Sequence, residues 1–247
     1  MDEATIELEF GSEFLTIWRL ISKYTIVSPE RAYATYRACR YVARYSIDGC
    51  FAECGVFKGG MAMLAAVVFA KHADAGRDVF LFDTFSGMTA PSEIDMSRHG
   101  VSAATYNPEM VKSSLDEVRQ NLAETGYPLH RLHFIEGDVC ATLRKPPNVP
   151  NSIAILRLDT DWYDSTRAEL EILYEKVSPG GVVLVDDYGY WQGARKAVDE
   201  FIGRLPYPVY LCRTDDCGIE FVKPLGAVFK ELMRSRGRTR EGLDADI

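Results

Sequence analysis

Three aspartates, Asp159, Asp186 and Asp187, follow apolar runs, "IAILRL" before the first and "GVVLV" before the pair. Runs of this kind read as buried strands of a parallel sheet, so the acids emerge where neighbouring strands end. Carboxylates gathered on one rim repel one another, and an all-oxygen Mg2+ site is the least costly relief. The pattern of an apolar run ending in an acid recurs in "DVFLFD" (Asp78 to Asp83) and "LHFIEGD" (Leu132 to Asp138). Asp83 is placed to accept hydrogen bonds from the two ribose hydroxyls of a nucleoside, and Asp138 to meet an adenine amino group. Asp161 and Asp164, beside "STRAEL", are read instead as helix caps or ion-pair partners. The aromatics near these acids, Trp162, Tyr163, Tyr188, Tyr190 and Trp191, offer flat faces that suit sugar rings, and equally a core or a subunit contact. His99, His130 and His133 show no partner spacing and are read as structural.

The elements that must hold these acids alternate. "SPERAYATYRACRYVARYSI" opens with Ser28 as N-cap and Pro29 at the first helical position. A strand is predicted over Cys50 to Cys54, then a glycine turn, then a helix from Met61 to about His72. The strands ending in Asp83 and Asp138 follow, with a helix predicted in "PEMVKSSLDEVRQNLAETG" between them. "IAILRLD" and "GVVLVDD" are separated by the helical spacing of "STRAELEILYEKVSPGG". Five apolar strands alternating with helices predict a parallel sheet covered on both faces, an α/β fold. "YPVYLC" (Tyr207 to Cys212) and "GIEFVK" (Gly218 to Lys223) predict an antiparallel hairpin at its edge. In such sheets ligands bind outside the carboxyl ends of the strands, where strand order reverses, so the acids stand on a crevice rim.

Composition narrows the partners. A net charge of -8 argues against general attraction to nucleic acid or anionic lipid. "MAMLAAVVFA" is too short to span a bilayer, and the reading is a soluble cytoplasmic protein. The six cysteines form no CxxC pair and no zinc-ligand spacing with the four histidines, so reduced, packed thiols are expected. Cys50 and Cys54 on one strand lie roughly 13 Å apart, too far to bridge. The turn "FAECGVFKGGMAML" places Glu53 and Gly55 at a strand end and Gly59-Gly60 at a helix start. It is neither the nicotinamide G-x-G-x-x-G nor a P-loop, yet it lets a ligand approach the backbone.

Together "ECGVFKGG", "LFDTFSGM", "EGD", "LRLDTDWYDST" and "SPGGVVLVDDY" resemble the macrocin O-methyltransferase family, S-adenosylmethionine-dependent enzymes that methylate sugar hydroxyls in bacterial antibiotic biosynthesis. The resemblance covers roughly Tyr24 to Pro224. It implies a class I methyltransferase (Rossmann-like) fold, a seven-stranded, mostly parallel sheet with an antiparallel last strand. It implies cofactor contacts at Glu53, Gly55, Asp83, Ser86 and Asp138, and a lid that includes "YTIVSPER". Residues 1–48 are then an N-terminal helical lid segment, 49–230 the methyltransferase domain and 231–247 a polar tail. A homo-oligomer acting on a small sugar-containing acceptor is implied as well. Residues 88–114 match no part of the pattern.

Methyl transfer to an alcohol requires loss of a proton from a hydroxyl as weakly acidic as water, with a pKa of about 16. A divalent cation at Asp159, Asp186 and Asp187 would lower that barrier and fix the oxygen, with Asp159 as general base. Three other readings compete. Magnesium-dependent methylation of a catechol uses a similar trio. A nicotinamide-dependent sugar oxidoreductase would need a phosphate fingerprint that is missing here. A non-catalytic nucleoside-binding or assembly protein would keep only the fold.

Overall fold

A computed structural model of the chain describes residues 1–72, 74 and 76–226. The polar tail expected over 231–247 lies outside the described residues. Eight α-helices are present among those described: α1 (Glu3–Phe10), α2 (Ser12–Ile21), α3 (Pro29–Arg44), α4 (Gly60–Lys71), α5 (Leu115–Ala123), α6 (Val139–Thr142), α7 (Tyr163–Leu173) and α8 (Gln192–Gly203). The strands are β1 (Cys50–Cys54), β2 (Val79–Asp83), β3 (Leu132–Glu136), β4 (Ile153–Leu158), β5 (Val177–Val185), β6 (Cys212–Arg213) and β7 (Ile219–Val222). They form one sheet in the order β3-β2-β1-β4-β5-β7-β6. β1 to β5 run parallel and β7 runs antiparallel to β5.

Chain order reverses between β1 and β4, and this opens the crevice expected of such a sheet. One face carries Phe51, Leu81, Ile155 and Leu184 against α2, α3, α4 and α5. The other carries Ala52, Cys54, Leu156, Leu158 and Val183 against α7 and α8. α4 is apolar all round because the sheet lies under it and α2 and α3 pack over it. Alternation along the strands also decides which side each polar residue meets. Glu53 pairs in register with Arg157, and Arg157 with Leu184, on the α3 and α4 side.

Ser28 caps α3 by accepting from the Arg31 amide, as its sequence position indicates. Two elements differ from expectation. The helix predicted through "PEMVKSSLDEVRQNLAETG" is broken: a 3-10 turn covers Pro108–Val111, and α5 begins only after Ser114, whose hydroxyl accepts from the Glu117 amide. The edge hairpin forms, but its outer strand is just Cys212–Arg213. Pro208 supplies no amide to a ladder, so Tyr207 to Leu211 stay out of the sheet.

All six cysteines are free thiols. No helix among the described residues is long and apolar enough to cross a membrane.

Candidate active site

Above the carboxyl ends of β1 and β4 lies a cleft of about 400 Å3. Its floor carries Glu53, Arg157, Asp159, Asp161, Asp186 and Asp187, and Arg31 reaches in from the first turn of α3. Thr25, Ile26 and Val27, just before that helix, line the cleft as well. The glycine turn after β1 closes one side. Gly55 has φ +82°, and a Cβ there would lie 1.9 Å from the Asp159 carbonyl oxygen. Only glycine lets the turn touch the loop that carries the acids. The contact is reinforced where the Asp159 amide donates to the Cys54 carbonyl at 2.8 Å.

Arg157 is the centre of the floor. It is 2% exposed and donates to Glu53 (2.9 Å), Asp159 (2.7 Å) and Asp186 (2.5 Å). Burial works against its charge, and Asp159, Asp186 and Glu53 outweigh that and raise its pKa. Arg31 bonds the second oxygen of Asp186 and also Asp215, which fastens the start of α3 to the turn between β6 and β7. Both oxygens of Asp186 are therefore engaged by guanidinium groups.

The expected trio of Asp159, Asp186 and Asp187 is redistributed. Asp159, Asp161 and Asp187 present oxygens that all lie within 4.8 Å of one another. Asp186 belongs to the arginines instead, because its side chain turns to the sheet face where Arg157 lies. Asp161 does not cap a helix. The N-cap of α7 is Trp162, and the Tyr163 amide is capped from a distance by the buried Asp95 at 2.8 Å. Asp161 adopts a left-handed φ of +68° that turns it into the cleft. Asp164 is exposed in the first turn of α7.

Five carboxyl groups thus face two guanidiniums on one floor, and the surplus shows in their acidity. Burial pushes Asp161 up to about 7, against a hydrogen bond with Asp187 that favours its charge. Burial, with Asp161 next to it, pushes Asp187 up as well. Burial also lifts Glu53 to about 8 despite Arg157. Glu53 is 1% exposed, and its Oε2 has no hydrogen-bond partner among the described residues.

The other expected residues divide. Asp83 lines the cleft and accepts from the amides of Val56 (2.6 Å), Phe57 (3.2 Å) and Phe85 (2.7 Å), so it orders the glycine turn. Asp138 lines the cleft and caps α6 through the Cys140 amide. Ser86 is exposed and is not part of the lining. Of the aromatics, Trp162 and Tyr190 line the cleft, while Trp191 packs behind Trp162 at 5.1 Å between ring centroids. The hydroxyls of Tyr163 and Tyr188 donate to Glu200 and Asp199. His133 bonds Asp78 at the far end of β2 and β3, away from the cleft. Residues 88–106 fold across the starts of α7 and α8: Trp162 Nε1 donates to the Thr89 carbonyl and the Gln192 amide to that of Met96. Met88 and Thr89 thereby line the cleft, and Val111, from the following 3-10 turn, lines it too.

Sequence reasoning missed Arg31 and Arg157. The signal for Arg157 was a lone charge inside the apolar "IAILRL"; Arg31 meets Asp186 across 155 residues of chain, with no local signal.

The sequence and fold have known counterparts. The chain is 32% identical over 177 residues to the 8-demethyl-8-(2,3-dimethoxy-alpha-L-rhamnosyl)-tetracenomycin-C 4'-O-methyltransferase of Streptomyces olivaceus, covering 70% of this chain and 65% of that protein. It is 29% identical over 197 residues to the demethyldecarbamoylnovobiocin O-methyltransferase of Streptomyces niveus, covering 79% and 74%. The O-methyltransferase NovP superimposes with a TM-score of 0.73 at 27% identity, over 81% of this chain and 82% of that one. The family described as Macrocin-O-methyltransferase (TylF) matches residues 18–221, and with the acid-floored cleft at the β1/β4 crossover this places the chain in that family.

Proposed function

We propose that the protein transfers a methyl group from S-adenosylmethionine to a sugar hydroxyl in bacterial secondary metabolism, with a divalent cation at the acceptor. The observation that carries this reading is the convergence of Asp159, Asp161 and Asp187 in one cleft beside the buried Glu53, whose Oε2 has no hydrogen-bond partner among the described residues. The sugar is a deoxysugar, either as a nucleotide sugar or on a glycosylated natural product; the names of the Streptomyces relatives support this class.

The cleft fits the cofactor. Glu53 Oε2 is an orphaned acceptor suited to the α-ammonium of its methionine end, and the turn at Gly55 leaves room for the chain of atoms beside it. Asp83 and Asp138 would meet the nucleoside, whereas Ser86 stands outside the lining. The floor also fits Mg2+, since an all-oxygen set with surplus negative charge is its usual host. When bound, S-adenosylmethionine supplies the electrophilic methyl and the cation supplies a Lewis acid that makes the hydroxyl easier to ionise.

The residues do the rest. Asp159 takes the proton from the acceptor hydroxyl, and Arg157 holds its carboxylate in place through the 2.7 Å bond. Asp187, with Asp159 and Asp161, would hold the cation, and Asp186 stays with Arg31 and Arg157. Trp162 and Tyr190 give the sugar ring apolar faces, and the lid segment before α3 excludes water from the exchange. A cytoplasmic homo-oligomer is part of the proposal, and analytical ultracentrifugation tests the assembly.

Mass spectrometry of an acceptor panel with labelled S-adenosylmethionine tests the whole. Labelled sugar and adenosylhomocysteine are expected together, with the rate lost in strong chelator and restored by Mg2+. Labelling of catechols alone would transfer the reading to the phenol class, and full activity in chelator would remove the cation.

A further inference from the structure

We propose that Thr160 and Glu169 form a positioning pair that fixes the loop between Asp159 and Asp161, so that both carboxylates face the acceptor. The inference deepens the proposed function and rests on it for the meaning of those two acids.

Glu169 stands where α7 calls for an apolar residue. Its neighbours on the buried face are Ser165, Thr166, Leu170 and Leu173, and it is itself 0% exposed. A carboxyl group in such a place costs stability unless it has a partner. No guanidinium or ammonium bonds it among the described residues. Its Oε1 accepts from the Thr160 hydroxyl at 2.8 Å, and its Oε2 is left without a hydrogen-bond partner. The Cys54 thiol, Asp159 and Asp138 are its other polar neighbours. Glutamine has the same length and keeps a side-chain oxygen that can accept from the Thr160 hydroxyl.

What Glu169 holds is the residue between two of the three converging acids. The carbonyl of Thr160 accepts from the Trp162 amide at 2.8 Å and from the Ser165 hydroxyl at 3.3 Å. Its hydroxyl is tied to Glu169, so both ends of the residue are fixed to α7. The next residue, Asp161, is held at a φ of +68°, a region that aspartate enters more readily than most residues but still at a cost that its surroundings offset. Without the Thr160 anchor Asp161 is free to leave the left-handed region, and its carboxylate then leaves the cluster. Neither Thr160 nor Glu169 needs to touch the reacting atoms for this.

The test compares Thr160→Val and Glu169→Leu, which break the bond at similar volume, with Thr160→Ser and Glu169→Gln, which keep it. Hydrogen exchange at the Trp162 amide is expected to speed up at least about tenfold in the first two, with β4 and β5 amides unchanged, and to stay near wild type in the second two. With a sugar acceptor, kcat is expected to fall about 10- to 100-fold in the first two while the KM for S-adenosylmethionine holds, because a misplaced group near the chemistry costs that much. The conservative variants should retain the wild-type rate. Uniform loss of protection across strands and loop would make the pair merely structural and overturn the proposal. So would wild-type kcat in both bond-breaking variants. Exchange needs no acceptor, so a wild-type protein that methylates no sugar would sink the proposed function and leave exchange to decide the pair.

Discussion

With Glu53 Oε2 assigned to the α-ammonium of the cofactor, as proposed above, binding should be a proton-linked event. Its buried carboxyl is lifted to about 8, first by burial and then by Asp159 and Asp186, with Arg157 opposing. A group with that pKa is about one-tenth ionised at pH 7.0, so an α-ammonium that selects the ionised form binds about tenfold more weakly than it otherwise would, or ~1.4 kcal/mol. The sign follows: the free site carries a proton that the complex does not, so affinity rises with pH. Between pH 6.0 and 7.5 the ionised fraction grows from about 0.01 to about 0.24, and the amine of adenosylhomocysteine, a free amino acid, stays protonated, so its Kd should fall about 24-fold. Titration calorimetry in two buffers of different ionisation enthalpy should show about 0.9 proton released per ligand at pH 7.0. In Glu53→Gln the slope and the proton release should both vanish. A Kd constant across this window, or the same slope in the glutamine variant, would refute the assignment of Oε2 to the ammonium.

Arg157→Met leaves buried acids without their shared partner and should destabilise the protein by about 3–5 kcal/mol in urea denaturation near neutral pH. Mg2+ binding should release protons and tighten from pH 6 to 8, because burial raises Asp161 to about 7 and raises Asp187 as well, so that the free site holds protons the ion displaces; Mn2+ titration followed by electron spin resonance measures this. Gly55→Ala places a methyl against the Asp159 carbonyl and should abolish measurable adenosylhomocysteine binding, read by calorimetry.

Much of the frame was legible because it obeys local rules. The apolar runs fixed β1 to β5, and Ser28 with Pro29 marked the start of α3. The break before α5 was also written in the chain as Ser114 and Glu117, the spacing of a capping box, although the longer helical pattern around it masked the signal. The acids at strand ends were found for the same local reason. Which of them converge was not, because that depends on partners remote in sequence. Arg31 draws Asp186 to the arginines from 155 residues away, and Asp95 takes over the cap of α7 from 68 residues away. With that cap supplied from elsewhere, Asp161 is released from the role its neighbours suggested.

The strap over residues 88–106 has a practical consequence. It is moored by polar ties to α7 and α8: Asp95 on the Tyr163 amide, Met96 on Gln192 and the Ser97–Trp191 bridge. None of those moorings belongs to a strand of the sheet. A protein engineer can therefore treat its first residues as a cassette: exchanging residues 88–91, which include the cleft-lining Met88 and Thr89 and lie outside those moorings, would reshape the mouth while the acidic floor and the glycine turn keep their own supports.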